Sequence, residues 1–176
     1  MNDRFFALWA DAMPTSAAGK WLTPNSEPSR ADKEGLAILE ISGTLVQRVS
    51  WFDFGTTVSL TRIADELNSL RLDDSVTRVL ISFDSPGGTV AGTNAAENAL
   101  KQLAAAKPTV VFVPSLCASG ALWICSAATK IFADETAIIG SIGCFNVLAD
   151  FSKMFSRAGI DVTLITSGGV KGAGAM

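Results

Sequence analysis

The stretch VTRVLISFDSPGGTVAGTNAAENALKQLAAAKPTVVFV, residues 76–113, decides the fold. Val76 to Phe83 is an apolar run of strand length, closed by Asp84-Ser-Pro-Gly-Gly88. Thr93 to Ala106 collects strong helix formers, including three consecutive alanines, and Pro108 ends the helix. Val110-Val-Phe-Val113 is a further strand. A strand, a helix and a second strand in so few residues form a crossover unit, and crossover units build parallel sheets. The chain is therefore read as an α/β domain with a mostly parallel sheet and flanking helices.

The same alternation extends outward in both directions. Upstream, Leu36-Ala-Ile-Leu-Glu-Ile41 is a buried-type strand, and Gly43-Thr44-Leu45-Val46 continues it. Residues 47–58 have the mixed polarity of a loop. Leu60, Ile63, Ala64, Leu67 and Leu70 recur at helical spacing. Downstream, Ser119 to Ala128 predicts a helix buried all round. Ile131 to Ala133 and Ile142 to Leu148 predict short strands, separated by the Ile138 to Gly143 turn. Phe151 to Ala158 predicts a helix stopped by Gly159. Asp161 to Ile165 predicts a last strand, and Ser167 to Met176 a glycine-rich irregular tail. Residues 1–35, with Pro14, Pro24 and Pro28 and no sustained periodicity, read as an irregular extension, so the domain is assigned to residues 36–176. No internal repeat stands out. A parallel sheet buries both faces, and after residue 165 only eleven residues follow, so the domain is expected to be incomplete at its C-terminus.

Composition removes whole classes of chemistry. The 176 residues are 48% hydrophobic and 18% charged with a formal net charge of −3, which excludes disorder for most of the chain and leaves no basic run for nucleic acid. There is no histidine. Ser-His-Asp and Cys-His catalysis and His-ligated zinc are thereby excluded, and any general base must be Lys, Asp, Glu, Cys or water. Cys117, Cys125 and Cys144 lack CxxC spacing and sit in apolar stretches, as free buried thiols do. No residue between Lys107 and Lys130 is charged, but Pro108, Pro114, Ser119 and Gly120 divide that run into a strand and a helix rather than a membrane span. The apolar run Phe5 to Ala10, bounded by Asp3, Arg4 and Asp11, is too short and too acidic for a signal peptide.

Three places could carry chemistry. Asp84-Ser-Pro-Gly-Gly88 follows a strand, and its glycines leave backbone N–H groups unshielded, as an oxyanion hole or a phosphate cradle requires. An ordinary tight turn uses the same residues. Ser119, in Cys117-Ala-Ser-Gly-Ala121, sits at a helix start and is followed by Gly120, whose N–H could help to hold an oxyanion. The plainer role there is an N-cap. Lys171 lies among Gly, Val and Ala with no carboxylate after Asp161. A solvated lysine is the ordinary reading, since a pKa of ~10.4 leaves well under ~1% neutral at pH 7. Desolvation among small apolar residues lowers that value, and without histidine a Ser–Lys dyad is the arrangement to test. Asp73-Asp74 reads as the end of a helix rather than a metal site.

Asp84-Ser-Pro-Gly-Gly88, Ala118-Ser-Gly120 with the following Ala-Leu-Trp-Ile-Cys-Ser-Ala-Ala, Gly140-Ser-Ile-Gly143 and Ser167-Gly-Gly-Val-Lys171 together resemble the signal peptide peptidase A family. Leu36 to Arg48 is most similar to its tailed-phage branch of head peptidases, the minor capsid protein C type. The resemblance covers about residues 36–176, with four motifs in order and 52 residues from Ser119 to Lys171. It implies the Clp-protease/crotonase fold and a serine endopeptidase without metal or cofactor. Ser119 would be the nucleophile, Lys171 the general base and Ser141 the residue orienting the lysine, with Gly88 and Gly120 as oxyanion-hole donors. It further implies a polypeptide substrate, either phage head or scaffold proteins or, as for signal peptide peptidases, cleaved peptides, with a homo-oligomer at full length and a place in the bacterial cytoplasm or the phage prohead. Members of the family continue well past the lysine. Two other readings compete: an inactive, truncated capsid-assembly component, and a crotonase-type acyl-CoA enzyme, which needs neither Ser119 nor Lys171.

Overall fold

Val79, Ile81 and Phe83 alternate along residues 78–84 and give that strand one wholly apolar face, which has to be covered. The computed structural model, which describes residues 20–21, 32–49, 57–147, 149–163, 165 and 167, covers it. The main sheet is formed by β1 (Lys20–Trp21), β2 (Leu36–Ser42), β5 (Arg78–Asp84), β6 (Thr109–Val113) and β8 (Lys130–Ala133) in the order β1-β2-β5-β6-β8, every neighbouring pair parallel. In the register, Leu39 stands beside Ile81 and Ile81 beside Val111. Ala37, Leu39, Ile41, Val79, Ile81, Phe83, Val111 and Val113 therefore form one fully buried face. Leu36, Leu80 and Val110 line the other face with half-buried Ile38, Phe112 and Phe132.

Two helices cover the first face. In α1 (Leu60–Leu72) the buried stripe is Leu60, Ile63, Leu67 and Leu70, and Ser59 caps the start by accepting from Arg62 N–H at 3.3 Å. In α2 (Thr93–Ala106) it is Ala96, Ala99, Leu100 and Leu103. Both helices occur where the periodicity puts them, and α2 has the residue bounds read from the sequence. Lys107, at the end of α2, donates from Nζ to the Leu70 and Asp73 carbonyls, which ties the two helices' C-terminal ends together.

The less expected feature is a second layer of short strands. Gly43, with φ 117°, breaks the run from residue 36, so Thr44–Val46 is not a continuation of β2 but a separate strand, β3. It pairs with β4 (Thr57–Ser59), which overlaps the end of the segment 47–58 expected to be loop. Single bridges link Leu45 to Gly88 and Ser85 to Cys117, and β7 (Leu116–Ala118) pairs with β9 (Ile138–Gly140). Each of β2, β5, β6 and β8 thus runs to a bend and then adds a short parallel segment to this layer. The repeat is one of backbone course, not of residue identity.

Several expectations need correction. α3 spans only Gly120–Cys125 and is not buried all round. Ala121, Ile124 and Cys125 are buried, but Trp123 is 45% exposed. Ala127 and Ala128 donate back three residues, to Ile124 and Cys125, tightening the chain into β8. The strand expected over 142–148 is absent from the described residues 142–147, and β9 lies within the segment expected to be a turn. Gly140 and Ser141, with φ 154° and 53°, end the pairing there. Residues 161–163 and 165 form no strand either. β1 lies in the stretch read as irregular extension. Cys144 is exposed rather than buried.

The described residues up to Gly143 and those from Cys144 onward form two compact units. Within the second, α4 (Ser152–Arg157) is followed by Gly159 at φ 69°, the glycine stop expected there. No described helix is long and apolar enough to cross a membrane.

Candidate active site

Four of the five residues singled out for chemistry lie in the first unit. Ser119, Ser141, Gly88 and Gly120 are described there, and Lys171 lies outside the described residues. Ser119 and Ser141 are also the only non-glycine residues with positive φ among those described, at 54° and 53°. For a serine such a backbone costs roughly 1–3 kcal/mol, and it persists only where its surroundings enforce it.

The enforcement at Ser119 is visible. Its N–H donates to the Gly140 carbonyl at 3.0 Å, and its own carbonyl accepts from Trp123 N–H at 3.0 Å to start α3. Its side chain makes no capping bond, so the N-cap role does not account for it. Because Ser141 directly follows Gly140, that first bond also brings the second serine's backbone to the same bend. The Ser141 side chain is exposed.

The Pro86-Gly87-Gly88 turn packs directly on this bend. A Cβ placed on Gly87 would lie 2.6 Å from the Ala118 carbonyl oxygen and 2.9 Å from both the Gly120 nitrogen and the Ser119 Cβ, and φ there is 90°. Only glycine fits. A Cβ on Gly88 would overlap the Leu45 backbone. A Cβ on Gly120 would lie 3.9 Å from the Gly88 nitrogen and 3.4 Å from Thr93 Oγ1, so the Gly88 and Gly120 main chains face one small space.

Their amides are free to act. The parallel bridge to β3 uses the Gly87 carbonyl, which accepts from Leu45 N–H at 2.8 Å, and the Thr89 N–H, which donates to the Leu45 carbonyl at 2.9 Å. In a trans peptide C=O and N–H point in opposite directions, so the Gly88 N–H points away from β3. Among the described residues neither the Gly88 nor the Gly120 N–H has an acceptor. Two unpaired donors beside a strained hydroxyl residue are what an oxyanion hole requires. Cys117 and Cys125 lie behind the bend, buried, with sulfurs 3.6 Å apart. That contact, and then burial, push the Cys125 thiol well up, so it is a neutral packing group.

The sequence reading missed two residues here. Thr93 is buried and donates from Oγ1 to the Thr89 carbonyl at 2.8 Å, forming the floor below Gly120. Ser85 is buried with its hydroxyl bonded on both sides. A serine two residues ahead of a turn amide is the pattern of a hydroxyl-closed turn, which was the available signal.

Residues 101–176 match the family described as Peptidase family S49. The last 76 residues of the chain are thus similar to peptidase family S49. It is 30% identical over 155 residues to the Head-tail preconnector protein GP5 of Enterobacteria phage P21, an alignment covering 86% of this chain and 31% of that one. It is 28% identical over 149 residues to the Capsid assembly protease C of Escherichia phage lambda, covering 84% of this chain and 34% of that one. The chain thus spans about a third of the length of these two relatives. Among solved structures, an enoyl-CoA hydratase/isomerase family member superposes with a TM-score of 0.52 at 18% identity, covering 82% of this chain and 54% of that one. At that identity the likeness shows the fold alone: a mostly parallel α/β arrangement of the crotonase type, as the family resemblance implied.

Proposed function

We propose that this domain is a serine endopeptidase acting through a Ser119–Lys171 dyad. The observation that carries the reading is the strained Ser119 set beside the acceptor-free amides of Gly88 and Gly120. Neutral Lys171 takes the Ser119 proton as the serine oxygen attacks a peptide carbonyl. The Gly88 and Gly120 N–H groups hold the resulting oxyanion, where one donor is commonly worth ~2.7–4 kcal/mol. The protonated lysine then gives its proton to the leaving amine, and the neutral base activates water to release the acyl group. Ser141 orients the lysine ammonium or amine through its hydroxyl. No metal or cofactor enters these steps.

The substrates we propose are polypeptides of a phage head or scaffold, because GP5 and Capsid assembly protease C align over most of this chain. Work on such substrates belongs in the prohead or the host cytoplasm, and assembly with further copies of the full-length protein accompanies it. The crotonase-type alternative has the fold in its favour but no use for the strain at Ser119.

Treatment with a fluorophosphonate probe tests the reading. The expected result is a single adduct on Ser119 whose formation speeds up with rising pH and has an apparent pKa well below ~10.4. Ser119→Ala and Lys171→Arg are both expected to be silent, since a guanidinium stays protonated. Labelling of Lys171→Arg at the rate of the unaltered chain removes the lysine from the mechanism.

A further inference from the structure

We infer that Ser85 is a positioning residue that sets the Gly88 donor relative to the nucleophile, an inference that rests on the peptidase reading above. Ser85 is fully buried, which for a hydroxyl requires partners. Its Oγ donates to the Gly43 carbonyl at 2.6 Å and accepts from the Gly87 N–H at 3.1 Å. The first bond fastens the turn to the corner where β2 becomes β3. Gly43 answers with its own N–H, which donates to the Asp84 carbonyl at 3.0 Å. The second bond fixes the peptide plane just before the one that carries the Gly88 N–H.

The main chain of Ser85 reaches the other way. Its N–H donates to the Leu116 carbonyl at 2.7 Å, and its carbonyl accepts from Ala118 N–H at 3.1 Å, one residue before Ser119. Ser85 is thus bonded at once to the β2–β3 corner, to the turn that presents one oxyanion donor, and to the strand that ends at the nucleophile. A hydroxyl removed here frees the Gly87 N–H to rotate, and with it the direction of the next amide. The chemistry of Ser119 and its base is left as it was. Ser85 touches no reacting atom in this account; it acts through Gly87 and Gly88.

The fluorophosphonate reaction reads this out, because the phosphoryl oxygen takes the oxyanion's position. Ser85→Ala is expected to slow Ser119 labelling by about tenfold or more at every pH while leaving the midpoint of the pH profile unchanged. Ser85→Cys, close in volume and a weaker hydrogen-bonding group, is expected to slow it by less and carries the test if Ser85→Ala does not fold. Thr109→Val is the control. Thr109 is equally buried and donates to the Lys107 carbonyl at 2.9 Å, but at the far end of β6. It should lower the unfolding midpoint and leave labelling alone. Labelling of the Ser85 variants at the unaltered rate, or equal slowing by Thr109→Val, overturns the inference and leaves the peptidase reading standing. An unaltered chain that is never labelled at Ser119 overturns both.

Discussion

The strands of the main sheet pass through two very different environments within a few residues. Along their helix-covered face, Leu39, Ile81, Phe83 and Val111 are wholly buried against Leu67, Leu100 and Leu103, and nothing there needs an unusual backbone. Just past their carboxyl ends, at Gly43, at Ser85 to Gly88 and at Leu116 to Gly120, almost every group is held by a directed hydrogen bond, and positive φ recurs. The first region is stabilised by area removed from water, which is non-directional and tolerant of small shifts. The second is defined by direction and stores strain. Stability and chemistry are therefore carried by different residues of the same strands, and substitutions should separate them.

The sharpest separation is expected at Ser119. Ser119→Gly removes the nucleophile, so probe labelling should vanish entirely. The same change relieves a backbone at φ 54° and ψ −123°, so urea unfolding should show a gain of about 1 kcal/mol. A stability that falls instead would mean the bend is imposed by local side-chain contacts and stores no strain.

Leu103→Ala tests the other region. Leu103 is fully buried on α2, and the truncation should cost about 2–5 kcal/mol by equilibrium unfolding. While the protein remains folded, the midpoint of the labelling pH profile should not move. A shifted midpoint would show that packing under the helices reaches the base, and the two regions would no longer be independent.

The same division explains what could be read in the sequence. Elements whose identity rests on burial were legible: α1, α2, β2, β5 and β6 all follow from the spacing of their apolar residues. The glycines and the serine of the site were legible because small residues after a strand have few other uses. Elements that depend on a partner strand were not. Thr109 to Val113 and Asp161 to Ile165 look equally strand-like, but the first lies between β5 and β8 in register, while no partner is paired with the described residues of the second. β7 and β9 were missed for the converse reason. They are three residues each, too short for a pattern, and exist because each completes the other's backbone bonding. Ser85 was quoted as part of a turn, but its buried bonds run to residues 42 positions away and more than 30 positions onward, which no local window contains.

The smallest expected effect lies on the opposite face of the main sheet, which belongs to neither region. Alternation along β2 puts Glu40 on that face, and the register carries its row through Ser82 to Phe112 and Phe132. Partial burial costs the carboxylate some of its hydration, and that alone raises its pKa above the usual 4.5. A raised folded-state pKa means that the native protein holds this proton more tightly than the unfolded chain does. Between the unfolded and the raised value the native state binds more protons, so stability from this group is full below about pH 4.5 and is lost as pH rises through the raised value. Glu40→Gln keeps the shape and cannot ionise. It should flatten that part of the stability–pH curve and raise the unfolding midpoint slightly at neutral pH, with Ser119 labelling unchanged. An unaltered curve would mean that water reaches Glu40 as freely as in the unfolded chain. The face would then be open to solvent despite Leu36, Leu80 and Val110 beside it, and the contrast between dry core and directed bends would need this wetted third surface as well.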